Sequence, residues 1–417
     1  MGENDVVRLA LVGIVLLLSL PLRADRVRVV VAVAQAEVSL AGSVIASLET
    51  ARDVERWGDG PAFSVELEAS ELEGLRRDPR VVAVSFDNGG QGGLLESVPL
   101  VGADVLRAQG VDGRGRTIAV LDTGIDRNHP DFAGRIVAEQ CYCDNLDGTG
   151  CCPGALTERS GTGAAEDDHG HGTHVTGIAA GGGAVAGPGV APGAKIVAVK
   201  VMDAQNRFRS FTQIYQGLAW IADHRPDVDV INMSLGSFAK YTPSECGGAA
   251  IGLGLQPVIA RLRQRGVLIA ACTGNDGVTD AMWLPACMDE VLGVGATYDG
   301  PGPGGTADEV TSFTNSSASM DILAPGTSIT SSARGGGKVN FSGTSMATPH
   351  VAGTIALLRQ VSGSGLSADF LQELLRRTGK PVLDMRNGLT FPRLDALAAV
   401  NGAPRVSSGP RRRAVRH

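Results

Sequence analysis

Apolar positions along this chain follow two rhythms. At 63–67 they alternate, with Phe63, Val65 and Leu67 separated by polar residues, the pattern of a strand with one buried face. Five later runs are almost unbroken: 117–122 (TIAVLD), 195–202 (KIVAVKVM), 227–235 (DVDVINMSL), 266–272 (GVLIAAC) and 290–297 (EVLGVGAT). Short Val/Ile/Leu runs of this kind predict strands buried on both faces. Between them, 210–224 and 251–266 carry helical patterns. Strands alternating with helices predict an α/β fold, a mostly parallel sheet with helices on both faces.

The region before these runs reads differently. Strands are expected at 26–33 and 80–87, and Ser70-Glu71-Leu72-Glu73 has the capping-box pattern that opens a helix through Arg77. Together with 63–68 they predict a small α+β unit over 25–87, roughly sixty residues and marginal alone. The glycine-rich 88–93 (NGGQGG) begins a linker over 88–97 where a protease could enter. The α/β part is expected over 98–402. Leu9–Leu22 is uncharged, apolar, preceded by Arg8 and shorter than the ~20 residues a span needs. It predicts a signal peptide over 1–24, cut after Ala24 in preference to the later Ala34-Gln35-Ala36. The basic end of 403–417 predicts a solvated, disordered tail.

Composition narrows the classes. Hydrophobic residues make up 43%, enough for a sizeable core, and the net charge of −7 gives no general attraction to nucleic acid. An exported chain with seven cysteines points to disulfides. Cys141, Cys143, Cys151 and Cys152 allow three pairings, of which the vicinal Cys151–Cys152 is disfavoured. Zinc competes, but C-x-x-C knuckles are missing. Cys272, inside an apolar run, is the expected unpaired thiol.

In a parallel sheet, ligands gather at the carboxyl ends of strands. Asp122, Ser234 and Asn275 all follow such ends. The segment 167–174 carries His169, His171 and His174, yet lacks H-E-x-x-H and any evident third metal ligand. It reads instead as a buried helix start, with Gly172 and Gly177 allowing close packing. The segment 341–353 (FSGTSMATPHVAG) is not a nucleophile elbow, because Ala347 stands where Gly is needed. A phosphate loop fails too, since Val339 and Pro381 follow the two Gly-Lys pairs.

At this point VLDTGID (120–126), HGTHVTG (171–177) and GTSMATPHVAG (343–353) together resemble the Asp, His and Ser motifs of the subtilisin-like serine proteases, in that family's order. TGND (273–276) and NMSLGS (232–237) are similar to its oxyanion and substrate-binding segments, and 67–87 resembles its propeptide. The resemblance implies a three-layer subtilisin-like fold preceded by a propeptide, and a secreted serine endopeptidase made as a self-processed zymogen. It implies Asp122, His171 and Ser345 as the triad, Asn275 and the Ser345 amide as oxyanion donors, and polypeptides and the chain's own propeptide as partners. His350 is not the base, since five helical positions turn it about 140° from Ser345. The other hydroxyls of that segment, with Asp126, Asp167, Asp168, His169 and His174, are expected to cap or support structure.

Ser234, Leu235, Gly236, Thr273 and Gly274 would wall an open primary pocket of broad or apolar preference. No cofactor is required for such chemistry. Structural calcium is common in the family, but 181–192 offers no Asp or Asn, leaving Asp131 as a candidate ligand. Cys246 would pair with Cys287, and Arg207 or Arg209 would bias upstream subsites toward acidic residues. A monomer, free of membrane after signal removal, is expected. Two other readings use the same fold, a non-catalytic binding or scaffold protein and an exopeptidase. The complete set of polar catalytic positions argues against the first.

Overall fold

The computed structural model describes residues 26–33, 38–56, 62–86, 94–300 and 306–405. The expected signal peptide, both cleavage sites, the 88–93 linker glycines and the basic 411–417 lie outside them. The chain divides into two compact units, Met1–Gly89 and Gly90–His417. Among the described residues no helix is long and apolar enough to cross a membrane.

The smaller unit has a four-stranded antiparallel sheet, ordered Arg52–Arg56, Ala62–Glu68, Arg26–Val33, Val81–Phe86. The alternation at 63–67 does what it predicts: Phe63, Val65 and Leu67 are buried in one core with Val29, Val31 and Val44. The capping box does not form. The helix there, Leu72–Arg77, has no side-chain cap. The Glu73 carboxylate pairs with Arg77 instead, and Glu71 accepts from the Glu49 and Thr50 amides.

The larger unit is built on a ten-stranded sheet. Its order is Lys380–Asp384, Leu389–Arg393, Ile322–Pro325, Leu292–Thr297, Leu268–Cys272, Val230–Met233, Thr117–Asp122, Lys195–Lys200, Ile136–Tyr142, Glu158–Ser160. All neighbours are parallel except the outermost pair at each edge. The unbroken apolar runs have a simple cause. Ile118, Val120, Ile196, Ala198, Leu268 and Ala270 face one core, under the helices His171–Ala180 and Thr344–Ser362. Ala119, Leu121, Val197, Val199, Ile269 and Ala271 face a second, under Phe211–His224 and Ala250–Gln264. The result is three layers, helix, sheet and helix.

From Thr117–Asp122 the chain first builds outward on one side of that strand, then crosses to Val230–Met233 on the other. The crevice beyond these two strand ends is where such sheets bind ligands. Strands shorten relative to the apolar runs: 195–202 becomes Lys195–Lys200, and 227–235 becomes Val230–Met233. Beyond these ends Val201, Met202 and Leu235 pack into the second core, while Ser234 turns to the Thr344–Ser362 helix.

Candidate active site

Asp122 ends the central strand and is fully buried. Its Oδ1 accepts from the Thr123 amide at 2.8 Å and faces His171 Nδ1 at 2.7 Å. His171 is the first residue of its helix. Two local features bring the helix start onto the strand end. A Cβ at Gly172 would collide with the Gly124 carbonyl, so only glycine allows this approach. Asp167 then ties both elements, accepting from the Gly170 amide at 2.8 Å, the Thr173 amide at 2.9 Å and Thr123 Oγ1 at 2.8 Å. Because a carboxylate only accepts, Nδ1 carries the proton and Nε2 keeps its lone pair. Burial alone would lower the His171 pKa. The Asp122 charge and hydrogen bond outweigh it, so the net direction is upward from the ordinary histidine value.

Ser345 lies in the first turn of Thr344–Ser362, where backbone amides have no partner within the helix. Its Oγ donates to the Ser234 carbonyl at 3.3 Å, and its own carbonyl accepts from Ser234 Oγ at 2.7 Å. No hydrogen bond joins it to His171 among the described residues. Beneath it, the Cys272 thiol contacts Ser345 and Thr344 and senses the Asp122 charge; burial pushes its pKa up to about 12. It is therefore an inert, protonated packing group, as the apolar run around it predicts.

Asn275 is exposed, and its side chain has a defined orientation. Oδ1 accepts from the Thr344 amide at 2.8 Å and from Thr344 Oγ1 at 2.9 Å. An amide N–H can only donate, so this fixes which end is oxygen and leaves Nδ2 on the other side. Asn275 and the Ser345 amide thus start from one helix end.

Of the wall residues, Ser234 is bonded to Ser345, Leu235 packs into the second core, and Gly236 and Gly274 carry no side chains. The space between the two walls is not open. A Cβ on Gly274 would meet Trp283 Cδ2 at 2.5 Å, and one on Gly236 would meet Trp283 Cε3 at 3.1 Å. The expected open pocket is therefore corrected: an indole lies between its walls. Nothing local to Trp283 marks it in the sequence, because long-range packing brings it there.

The remaining polar residues have structural partners. Ser342 Oγ accepts from the Ser328 amide, Thr348 donates to the Thr344 carbonyl, and His350 bonds Met346 O and Ser97 Oγ. His174 bonds the Ile329 and Val339 carbonyls, His169 Nδ1 accepts from the His171 amide, and Asp126 accepts from the Gly335 amide. Asp168 is more than a loop residue: it pairs at 2.6 Å with Lys200, whose buried ammonium also donates to the Thr123 and Met202 carbonyls. Lys200 stands opposite Asp122 in the parallel ladder, and a lysine inside an apolar run gives no local sign of this ion pair.

Asp131 does not suit a metal. Its carboxylate accepts from the Val185 amide at 2.8 Å, the Ala186 amide at 3.2 Å and Ser332 Oγ at 2.8 Å. The Arg135 guanidinium donates to the Asp131, Ala180 and Ala194 carbonyls. Those oxygens already face a cation, and a hard metal would need them free. Among the described residues no group of three or more His, Cys, Asp or Glu is placed to hold a metal. The cysteine-rich loop carries two nested bridges, Cys141–Cys152 and Cys143–Cys151, and Cys246 pairs with Cys287. Arg209 lies over this loop: a Cβ at Gly148 would meet its Nη1 at 3.1 Å.

Known proteins are similar to this chain in sequence and fold. A family model described as Peptidase_S8, Subtilase family, matches residues 113–397. An intracellular serine protease of Paenibacillus polymyxa is 32% identical over 310 residues, covering 71% of this chain and 85% of its own. Subtilisin E of Bacillus subtilis (strain 168) is 33% identical over 305 residues, covering 71% and 70%. The crystal structure of a cold adapted subtilisin-like serine proteinase superposes with a TM-score of 0.54 at 31% identity, covering 69% of this chain and 90% of that one.

Proposed function

The chain belongs to the subtilase family and is a serine-type peptidase, and from that premise we propose that it is a secreted endopeptidase made as a self-processed zymogen, with Asp122, His171 and Ser345 as its triad. The observation that carries the assignment of residues is the buried Asp122–His171 pair at 2.7 Å, beside a helix with Ser345 in its first turn. Ser345 Oγ attacks the scissile carbonyl while His171 Nε2 takes its proton. Asp122 holds the imidazole and stabilises the imidazolium. Charge on the carbonyl oxygen is met by Asn275 Nδ2 and the Ser345 amide, where the helix dipole adds to the effect. His171 returns the proton to the leaving amine, and water then releases the acyl group by the reverse roles.

Export is supported by three disulfides, which persist in oxidising compartments, and by the apolar N-terminal run. Self-processing would fall within 87–93. From Ser97 onward the chain is committed to the larger unit: Ser97 Oγ bonds His350 Nε2 at 2.9 Å and Val98 is buried in the core. Labelling with a fluorophosphonate tests the assignment. The processed wild type should react and Ser345→Ala should not; an unreactive wild type would sink it. The Ser345→Ala precursor should also remain uncut.

A further inference from the structure

The indole between the two substrate walls has a consequence for what the enzyme cleaves. The wall segments Ser234–Gly236 and Thr273–Gly274 follow adjacent parallel strands and both touch the Ser345 helix, through Ser234 Oγ to the Ser345 carbonyl and the Gly274 amide to Thr344 Oγ1. A side chain next to the scissile bond would enter between them. The six-membered ring of Trp283 already occupies that gap, with Cδ2 and Cε2 against Gly274 and Cε3 against Gly236.

The ring is held on several sides. The Trp283 amide donates to the Thr273 carbonyl at 2.9 Å. Its backbone pairs with Lys240 in a two-stranded ladder. Indole Nε1 donates to Asp276 Oδ2 at 2.7 Å. Asp276 is fixed in turn by Asn315 Nδ2 at 3.0 Å and by Lys240 Nζ at 3.3 Å. Swinging the ring aside would break the Nε1 bond and uncover apolar surface.

We propose that Trp283 is the specificity-determining residue of this peptidase, filling its primary pocket so that only Gly, Ala or Ser is accepted on the acyl side of the cleaved bond. This rests on the catalytic reading above. The bond cleaved is the same; the ring decides which residue precedes it.

The test uses the processed enzyme and tetrapeptide p-nitroanilides that differ only in the last residue, Ala or Phe. Wild type should favour Ala over Phe by about 100-fold or more in kcat/KM, since a single methylene in a pocket is already worth about 10–200-fold. Trp283→Ala should raise the ratio of kcat/KM for Phe to that for Ala by about 100-fold. Trp283→Phe, a smaller ring that preserves packing, should fall between the two and guards against misfolding of the first variant. Fluorophosphonate labelling has no side chain to place in the pocket, so it reads Ser345 separately. Labelled wild type that cleaves after Phe as well as after Ala would overturn the pocket assignment alone. Unlabelled wild type would overturn both.

Discussion

Single residues here owe their chemistry to what surrounds them. Asp122, itself cut off from water, holds one ring nitrogen of His171 and raises the affinity of the other for a proton, which suits the base role proposed for it. Only neutral His171 can take the Ser345 proton. Activity should therefore fall on the acid side with a midpoint above the ordinary histidine value of about 6.5, as a kcat/KM profile against pH would read. Asp122→Asn should keep the fold and lower kcat by about 10⁴, the loss expected of the wrong tautomer. Asn275→Ala should cost about 10²–10³ in kcat, the magnitude known for such a donor in subtilisin. His174 and His350 report the opposite environment. Burial pushes them down to about 3 and about 4, so both stay neutral in the fold. Unfolded histidines take protons near pH 6.5, so stability is fully present above that pH. It should decline as pH falls toward 4, which denaturant titrations at fixed pH would show. Asp122, His171, Asn275 and Ser345 were legible in the sequence because each sits in a short local motif at an element's end. Trp283 and Lys200 were not, because their meaning comes from residues far away in the chain.

Elements place those residues, and their contacts tolerate little change. The helix His171–Ala180 meets the strand end backbone to backbone at Gly172. Gly172→Ala should destabilise the protein by about 1–3 kcal/mol through overpacking, and displace His171 from Asp122. Melting temperature and kcat measured together would separate this from a purely local effect. The nested bridges close short loops, with sequence separations of 11 and 8. Removing Cys141–Cys152 by paired serine substitutions should cost about 2–3 kcal/mol, measurable by thermal unfolding. The five long apolar runs were readable as strands because both of their faces meet a core. The hairpin Ile329–Ala333 with Gly337–Phe341 was not, since its buried positions include Thr330, Ser331 and Ser332 and give no apolar rhythm. The expected capping box shows the converse: a correct local pattern does not form, and the Glu73 carboxylate pairs with Arg77.

At the scale of the larger unit, the sheet's two faces carry separate cores, and the proposed catalytic residues stand where strands passing between them end. The α/β class followed directly from alternating strand and helix patterns, whereas the edge strands, with their shorter and more polar sequences, did not announce themselves. One further property belongs to this scale. A structural ion taken from solvent contributes stability that depends on its concentration, growing with the ratio of free ion to dissociation constant. Arg135 meets three carbonyls with a positive charge that is part of the chain. At that corner the holding charge cannot be diluted or chelated, and its supply is settled once, at translation.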